Sequence, residues 1–382
     1  MKTKFFDDIE RLRGFACILV LIQHIAWACP LRFTYSIIPR YLLLGSGGVH
    51  LFFAISGFVV TLSLRNQLNS LSGSVFLNRL LSAKELLFSF YRKRLFRIYP
   101  VVSFVILLMC VFLNFTEDNL SWTPSFLRTS VEIFFGVYNN AVELLAEKEK
   151  IHLGGLGLFW TLAIETQFYV LWPIVLLACK TDNARAIVSL FLGFLFLMVV
   201  QPTLRAFYDF KYYAIYHNVS ELFLGSFLAF LYGRDKDSAE ETPSKMAKLA
   251  TAILALIVWF YPSVSEREFY AAIVVSSASI LLVAMAVFVR GSFRIPLLHH
   301  AFSFLGSRSF SFYAVQLLVA NMVVYYTNSI YFLNEAFSED RFYCYQFIIF
   351  LIVLFVLTEL VYRFIEKPFR KYGRGKQQQE RS

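Results

Sequence analysis

The sequence predicts an all-α integral-membrane protein with about ten transmembrane helices and both termini on the cytoplasmic side. Three observations carry that expectation. Of 382 residues, 58% are hydrophobic and 16% charged, with a mean hydropathy of +0.60, more apolar surface than a water-soluble domain can hide. Apolar runs long enough to cross a bilayer recur from one end of the chain to the other. With the N-terminus placed inside, 27 of the 36 Lys and Arg residues fall in cytoplasmic segments and 9 in external ones, which is the positive-inside bias. The net charge of +10 is therefore a topological excess and argues against nucleic acid as a partner.

The runs fall at 14–29, 41–64, 95–115, 156–179, 186–206, 213–232, 247–261, 269–289, 302–327 and 342–362. The stretch 122–138 is shorter and interrupted, and reads as interfacial or re-entrant. Ala26-Trp27-Ala28 resembles a signal-peptidase site, but Asp7, Asp8 and Glu10 spoil a basic leader, so the first run reads as an uncleaved helix. The five cysteines show no metal-ligand spacing and no metal site is expected; Cys29 and Cys344 both fall near the outer face, though packed free thiols are preferred to a disulfide. Residues 1–375 read as one membrane domain and 376–382 as a disordered polar tail. The outer loop near 139–155 is acidic, and 233–245 is a charged inner linker. No internal repeat at a fixed period is visible, which disfavours an inverted-repeat transporter.

The first run separates Arg13 from His24 by eleven residues, about three helical turns and roughly 16 Å, so both side chains share one face. Arg13 then lies near the inner surface and His24 near the midplane. An imidazole at that depth is costly to bury and marks a functional site by default. The second run contains Gly47-Gly48-Val49-His50 and Ser56-Gly57. Its small residues allow close helix packing, and His50 is a second histidine within the membrane. Arg94 and Arg97, at the start of the third run, are three residues apart and point the same way. Such a pair can clamp phosphate, although by itself it also serves as an inner-surface anchor.

The fourth run opens at Trp160 and carries Glu165 and Tyr169. It crosses from outside to inside, which leaves Glu165 one to two turns below the outer surface. A carboxylate there is protonated, paired or functional, and one that orients an imidazole makes a competent base. Ser309 through Tyr313 to Gln316 enters the ninth run, and Glu366-Lys367-Pro368-Phe369 closes the tenth.

Taken together, these segments resemble the acyltransferase 3 family of integral-membrane enzymes. The matching residues are Arg13-Gly14 with His24, Gly48-Val49 through Ser56-Gly57-Phe58, Arg94 and Arg97 with Ile98 and Pro100, Trp160 through Glu165 to Tyr169 and Pro173, and Glu366-Lys367-Pro368-Phe369. They occur in family order along nearly the whole chain. Ala314 and Gln316 stand where the family's ninth-helix motif usually has Leu and His. Longer family members carry a fused extracytoplasmic esterase-like domain. Its absence here leads to the expectation that this chain completes the transfer itself or hands the group to a partner.

The resemblance implies a multi-pass protein of the inner membrane that moves an acyl group, acetyl foremost, from cytoplasmic acetyl-CoA to a hydroxyl of an extracytoplasmic saccharide or lipid-linked glycan. Arg13, Arg94 and Arg97 would hold the donor's phosphates. His24 and Glu165 would be catalytic, with His24 either general base or acyl carrier. His50, Ser56, Trp160, Tyr169, Tyr313 and Gln316 would support the substrates or the site. The rival is a transporter or channel that uses the buried His, Glu and Arg as a path. A haem held by His24 and His50 is a third reading.

Overall fold

The computed structural model describes residues 7–28, 45–68, 76–116, 124–138, 156–200, 219–232, 243–264, 269–333 and 339–375. Cys29, the outer loop 139–155, the linker after 232 as far as 242 and the tail after 375 lie outside them. The described residues are helical almost throughout and include no strand. The helices are α1 (Asp7–Ala28), α2 (Gly47–Leu68), α3 (Phe76–Ser82), α4 (Lys84–Asn114), α5 (Pro124–Phe134), α6 (Phe159–Ala178) and α7 (Asp182–Leu195, continued by a π turn over Phe196–Val200). They continue with α8 (Val219–Tyr232), α9 (Lys245–Val264), α10 (Phe269–Phe288), α11 (His299–Ser307), α12 (Ser309–Leu333), α13 (Glu339–Val361, continued by a π turn over Tyr362–Glu366) and α14 (Lys367–Arg374).

Each of the ten predicted runs overlaps at least one of these helices. Among the described residues, seven helices are long and apolar enough to cross a membrane, while α8 is apolar but has only 14 residues. The run at 302–327 is two helices rather than one, broken between Ser307 and Ser309. The intervening Arg308 turns to Glu359 of α13. The 122–138 stretch holds α5, whose 11 residues span only about 16 Å, half a hydrocarbon core. α5 ends before Gly136, which adopts φ 69°, a helix-ending conformation that glycine takes at little steric cost.

Contacts group the chain into two compact units. One comprises Met1–Val20, Leu44–Phe88 and Glu165–Ser307; the other comprises Leu21–Leu43, Ser89–Ile164 and Arg308–Ser382. Lipid offers apolar side chains no contrast with a protein interior, so helices pair through close backbone approach and shared polar groups. The first unit shows both. A Cβ on Gly57 would lie 1.9 Å from the Leu222 carbonyl oxygen, and one on Gly225 would lie 2.1 Å from that of Ala54. Thr61 bonds Ser226 and Arg65 bonds the Ala229 carbonyl farther along, so α2 and α8 run in the same direction at backbone contact.

On the other side of α2, a Cβ on Gly45 would meet the Leu19 carbonyl oxygen at 1.6 Å and one on Gly48 that of Ala16 at 2.7 Å. α1 is held equally closely by α11, with Gly14 against Phe302 and Gly306 against Glu10. Ile9, Leu12, Phe15, Ala16 and Leu19 of α1 join Leu51, Ala54, Ile55 and Phe58 of α2 in one buried core with α8 and α10.

The second unit is built on α4, α12 and α13. Phe312, Val315, Leu318 and Val319 of α12 are fully buried. Gln346 of α13 donates to Thr327 at 2.7 Å, and Arg308 grips Glu359 with two nitrogens at 2.5 and 3.2 Å. Phe96 of α4 stacks on Phe369 and meets Tyr372 edge-on, while Arg92 donates to the Gly373 carbonyl, so α14 is clamped against α4.

A difference between two glycine substitutions tests this packing. A methyl at Gly57 meets backbone, whereas one at Gly193 meets the side chain of Leu224, which can change rotamer. Gly57→Ala is expected to lower the thermal midpoint in detergent by the equivalent of about 1–3 kcal/mol, the usual cost of overpacking. Gly193→Ala should cost clearly less. Equal midpoints for the two variants would contradict the α2–α8 contact.

Candidate active site

Four hydrogen-bonded clusters draw α2 of the first unit against its neighbours. Nearest the C-terminal end of α2, Arg65 donates to Asp182 at 2.7 Å, and the fully buried Arg185 donates to the other oxygen of the same carboxylate at 3.0 Å. One turn back, Thr61 donates to Ser226 at 2.8 Å and accepts the indole N–H of Trp172 at 2.8 Å. Trp172 is itself stacked on Phe168.

Next along α2, the Ser56 hydroxyl lies 2.9 Å from the Tyr169 hydroxyl, which donates to Glu165 Oε2 at 2.9 Å. Tyr169 and Glu165 are four residues apart and so stack on one face of α6. Ser56 and Tyr169 are buried and Glu165 is partly exposed. Three residues singled out in sequence thus form one chain, in which the phenol orients the carboxylate and the serine orients the phenol.

The last cluster surrounds Glu221 of α8, which has no solvent exposure. His50 Nδ1 lies 2.5 Å from its Oε1. Ser276 of α10 donates to the same oxygen and Ser220 donates to Oε2 at 2.8 Å. Three helices therefore meet on one carboxylate. Glu221 and Ser276 were not singled out in sequence; a lone Glu in the short run 213–232 was the available signal, by the rule that intramembrane carboxylates carry function.

Arg13 stands on α1 beside Gly14, whose backbone contact with Phe302 fixes the rotation of the helix there. At the start of α1, outside the span, Asp8 accepts from Arg11 and from the Gly291 N–H, each at 2.5 Å. Burial pushes the Asp8 carboxyl above its ordinary value, opposed by the Gly291 and Arg11 bonds. His24 lies on the same helix eleven residues after Arg13, partly buried.

In the second unit, Arg94 packs over the Phe90 ring at 5.4 Å. Arg94 and Arg97 belong to a larger concentration of cations than the sequence pair suggested. Lys93 lies in the field of Arg92, Arg94 and Arg374, and Arg370 lies in that of Arg97 and Arg374. The α14 residues were missed because this pairing links positions almost three hundred residues apart.

One acid sits among them. Glu366 is buried and accepts from the Ser311 hydroxyl at 2.6 Å, the Ser311 N–H at 3.2 Å and Arg370 at 3.0 Å. The motifs at 309–316 and 366–369, which looked separate in sequence, are joined there.

Tyr313 shares a hydrogen bond of 2.6 Å with Thr161 and donates to the Leu158 carbonyl at 3.0 Å, anchoring α12 at the start of α6. Trp160 lies on that same turn, partly buried. Gln316 is 1% exposed, and neither amide atom meets a partner among the described residues.

These features define a helical membrane protein with polar clusters built into its interior. The chain belongs to the acyltransferase 3 family, whose model, an acyltransferase domain, matches residues 6–363. It is similar to the O-acetyltransferase OatA of Staphylococcus aureus strain NCTC 8325 / PS 47, with 25% identity over 392 residues, covering 97% of this chain and 58% of the relative. The same figures hold for OatA of Staphylococcus aureus strain COL. The chain spans 58% of the length of these curated relatives. No solved structure matches the chain.

The unpaired amide of Gln316 gives a prediction. An unsatisfied buried polar group costs about 1–3 kcal/mol, so Gln316→Met, nearly isosteric, should raise the thermal midpoint of the ligand-free protein. A fall of similar size would mean that the amide is bonded when the protein is at rest.

Proposed function

We propose that this chain is a multi-pass enzyme of the inner membrane that transfers an acyl group, acetyl foremost, from cytoplasmic acyl-CoA to a hydroxyl of an extracytoplasmic or lipid-linked saccharide. The observation that carries the donor assignment is the cation cluster of Arg92, Lys93, Arg94, Arg97, Arg370 and Arg374, with Glu366 among them. Like charges gathered in this way repel one another and favour a polyanion. The phosphates of coenzyme A are such a polyanion, and charge-assisted bonds from arginine are the strong ones. The positive-inside bias puts these residues on the cytoplasmic face, where acyl-CoA is found. Membership of the acyltransferase 3 family and similarity to O-acetyltransferases support the reaction class and a saccharide acceptor.

In this reading the chain crosses the membrane about ten times with both ends inside. Arg13 joins Arg94 and Arg97 in holding the donor. His24, deep on α1, is the imidazole that either takes the proton of the acceptor hydroxyl or carries the acyl group between donor and acceptor. Glu165, held by Tyr169 and Ser56, is the carboxylate of the site. Fixing donor and acceptor away from water supplies the rest through proximity.

Purified protein in proteoliposomes should consume acetyl-CoA, and His24→Ala should abolish consumption while the protein still inserts in the membrane. Arg97→Ala should raise the KM for acetyl-CoA by roughly 10–100-fold with a smaller effect on kcat, the loss of one charge-assisted phosphate bond. Full activity of His24→Ala would refute the scheme. Proton-coupled flux without acetyl-CoA would establish the transporter instead. In cells, glycans of the envelope should be lighter by one acetyl group per site when the gene is deleted, as read by mass spectrometry.

A further inference from the structure

The His50–Glu221 pair encloses a carboxylate completely, and the reading above gives it no step in the transfer. Glu221 is fully enclosed, and its two oxygens accept bonds from His50, Ser276 and Ser220. A carboxylate with no exposure and two serine donors is held in one place. The ring of His50 meets it through Nδ1 at 2.5 Å. Facing a carboxylate, Nδ1 is the nitrogen that donates, and in the neutral ring that such a bond favours, the lone pair falls on Nε2.

Among the described residues, Glu221 is the one hydrogen-bond partner of the His50 side chain. The side chain keeps 13% exposure while that of Glu221 has none, so the dyad has one closed end and one open end. A purely structural tie between α2 and α8 would not need an imidazole. Thr61 with Ser226 and Gly57 against Leu222 already make that tie with small neutral groups. Replacing a buried charged pair with apolar residues of similar size is often neutral or stabilising.

The position is also informative. Ser56 pairs with Tyr169, which sets α2 and α6 in register. His50 lies six residues before Ser56, roughly 9 Å along the axis, and Glu165 lies four before Tyr169, roughly 6 Å. The two helices run in the same direction, since Thr61 meets Trp172 beyond that point. His50 and Glu165 therefore stand near one level, towards the same ends of α2 and α6. The imidazole with an open nitrogen belongs to the level of the carboxylate already placed in the site.

We propose that His50 is the proton acceptor for the acceptor hydroxyl, with Glu221 as the positioning residue that holds its tautomer and stabilises the imidazolium once formed. The inference rests on the transferase reading. In the step it describes, the hydroxyl oxygen bonds the acyl carbon and the bond from that carbon to its leaving group breaks. The hydroxyl proton moves to His50 Nε2. The leaving group then takes that proton from the imidazolium, so acceptor, donor and enzyme balance. His24 is thereby left to the donor half of the transfer, as acyl carrier.

The test uses membranes from cells expressing the full chain, which contain the native acceptor, and radiolabelled acetyl-CoA. His50→Ala should lower label incorporation into the glycan and lipid fraction by roughly 10²–10⁴-fold, the range of general-base catalysis, with the KM for acetyl-CoA unchanged. Added imidazole should restore part of the rate to His50→Ala and none to His24→Ala. Glu221→Gln should lower kcat with little change in KM, and Ser276→Ala, which leaves the charge in place, should do so much less.

A His50→Ala protein that is folded by thermal midpoint and incorporates label at the wild-type rate overturns the proposal, as does one that is inactive and insensitive to imidazole. Wild-type membranes that incorporate no label overturn the transferase reading itself. Those results are distinguishable because the wild type separates them.

Discussion

The carboxylate of Glu221 is the constraint around which the first unit is organised. A charged or strongly polar oxygen cannot be left alone in a dry interior, and inside a bilayer no water is at hand to satisfy it. Its partners come from α2, from α10 and from its own helix. Satisfying that one group fixes how three helices are rotated about their axes. The glycines then act in concert with it. Gly57 and Gly225 let α2 and α8 touch at backbone distance, which brings the short reach of Thr61 and Ser226 within bonding range. Along α2 the same logic repeats, with Ser56 and Tyr169, Thr61 and Trp172, and Arg65 and Asp182 each closing one polar group against another.

The second unit solves the problem with arginine. Glu366 and Glu359 are the acids, and Arg370 and Arg308 are their cations. The Ser311 hydroxyl and backbone N–H add two donors to Glu366. What distinguishes this unit is the excess of cations over acids around α14 and the start of α4. Phe96 stacks on Phe369 and meets Tyr372 edge-on, which ties the basic turn of α14 to that of α4. A site for a polyanion needs both charge and stiffness, because each flexible side chain that must be ordered on binding weakens the complex.

How much was legible in the sequence follows from which signals are local. Helix positions were, because a run of apolar residues is a local property. The break at Arg308 was not, since Ser307 and Ser309 interrupt the apolar pattern no more than other serines do, and the partner of Arg308, Glu359, lies fifty-one residues away. Candidate residues such as Ser56, Glu165 and Tyr169 stood out as polar groups where lipid excludes them. Their joining into one chain did not, nor did the pairing of His50 with Glu221, because hydrogen bonds between helices obey no period along the chain. Nor, for the same reason, did the meeting of the α14 cations with those of α4. Gly14 and Gly48 were visible as small residues, yet which backbone each one admits is a matter of packing.

The sequence by itself determined that the chain is a helical membrane protein of the acyltransferase 3 type, that basic residues favour one side, and which polar side chains stand in apolar surroundings. Those properties are sums over residues or patterns within one helix, and they survive any arrangement of the helices. Only the tertiary structure decided which of these polar groups meet. It turned His50 to Glu221, Ser56 to Tyr169 and Ser311 to Glu366, because a buried donor or acceptor must find its partner in three dimensions and takes it from whichever helix the close packing brings alongside.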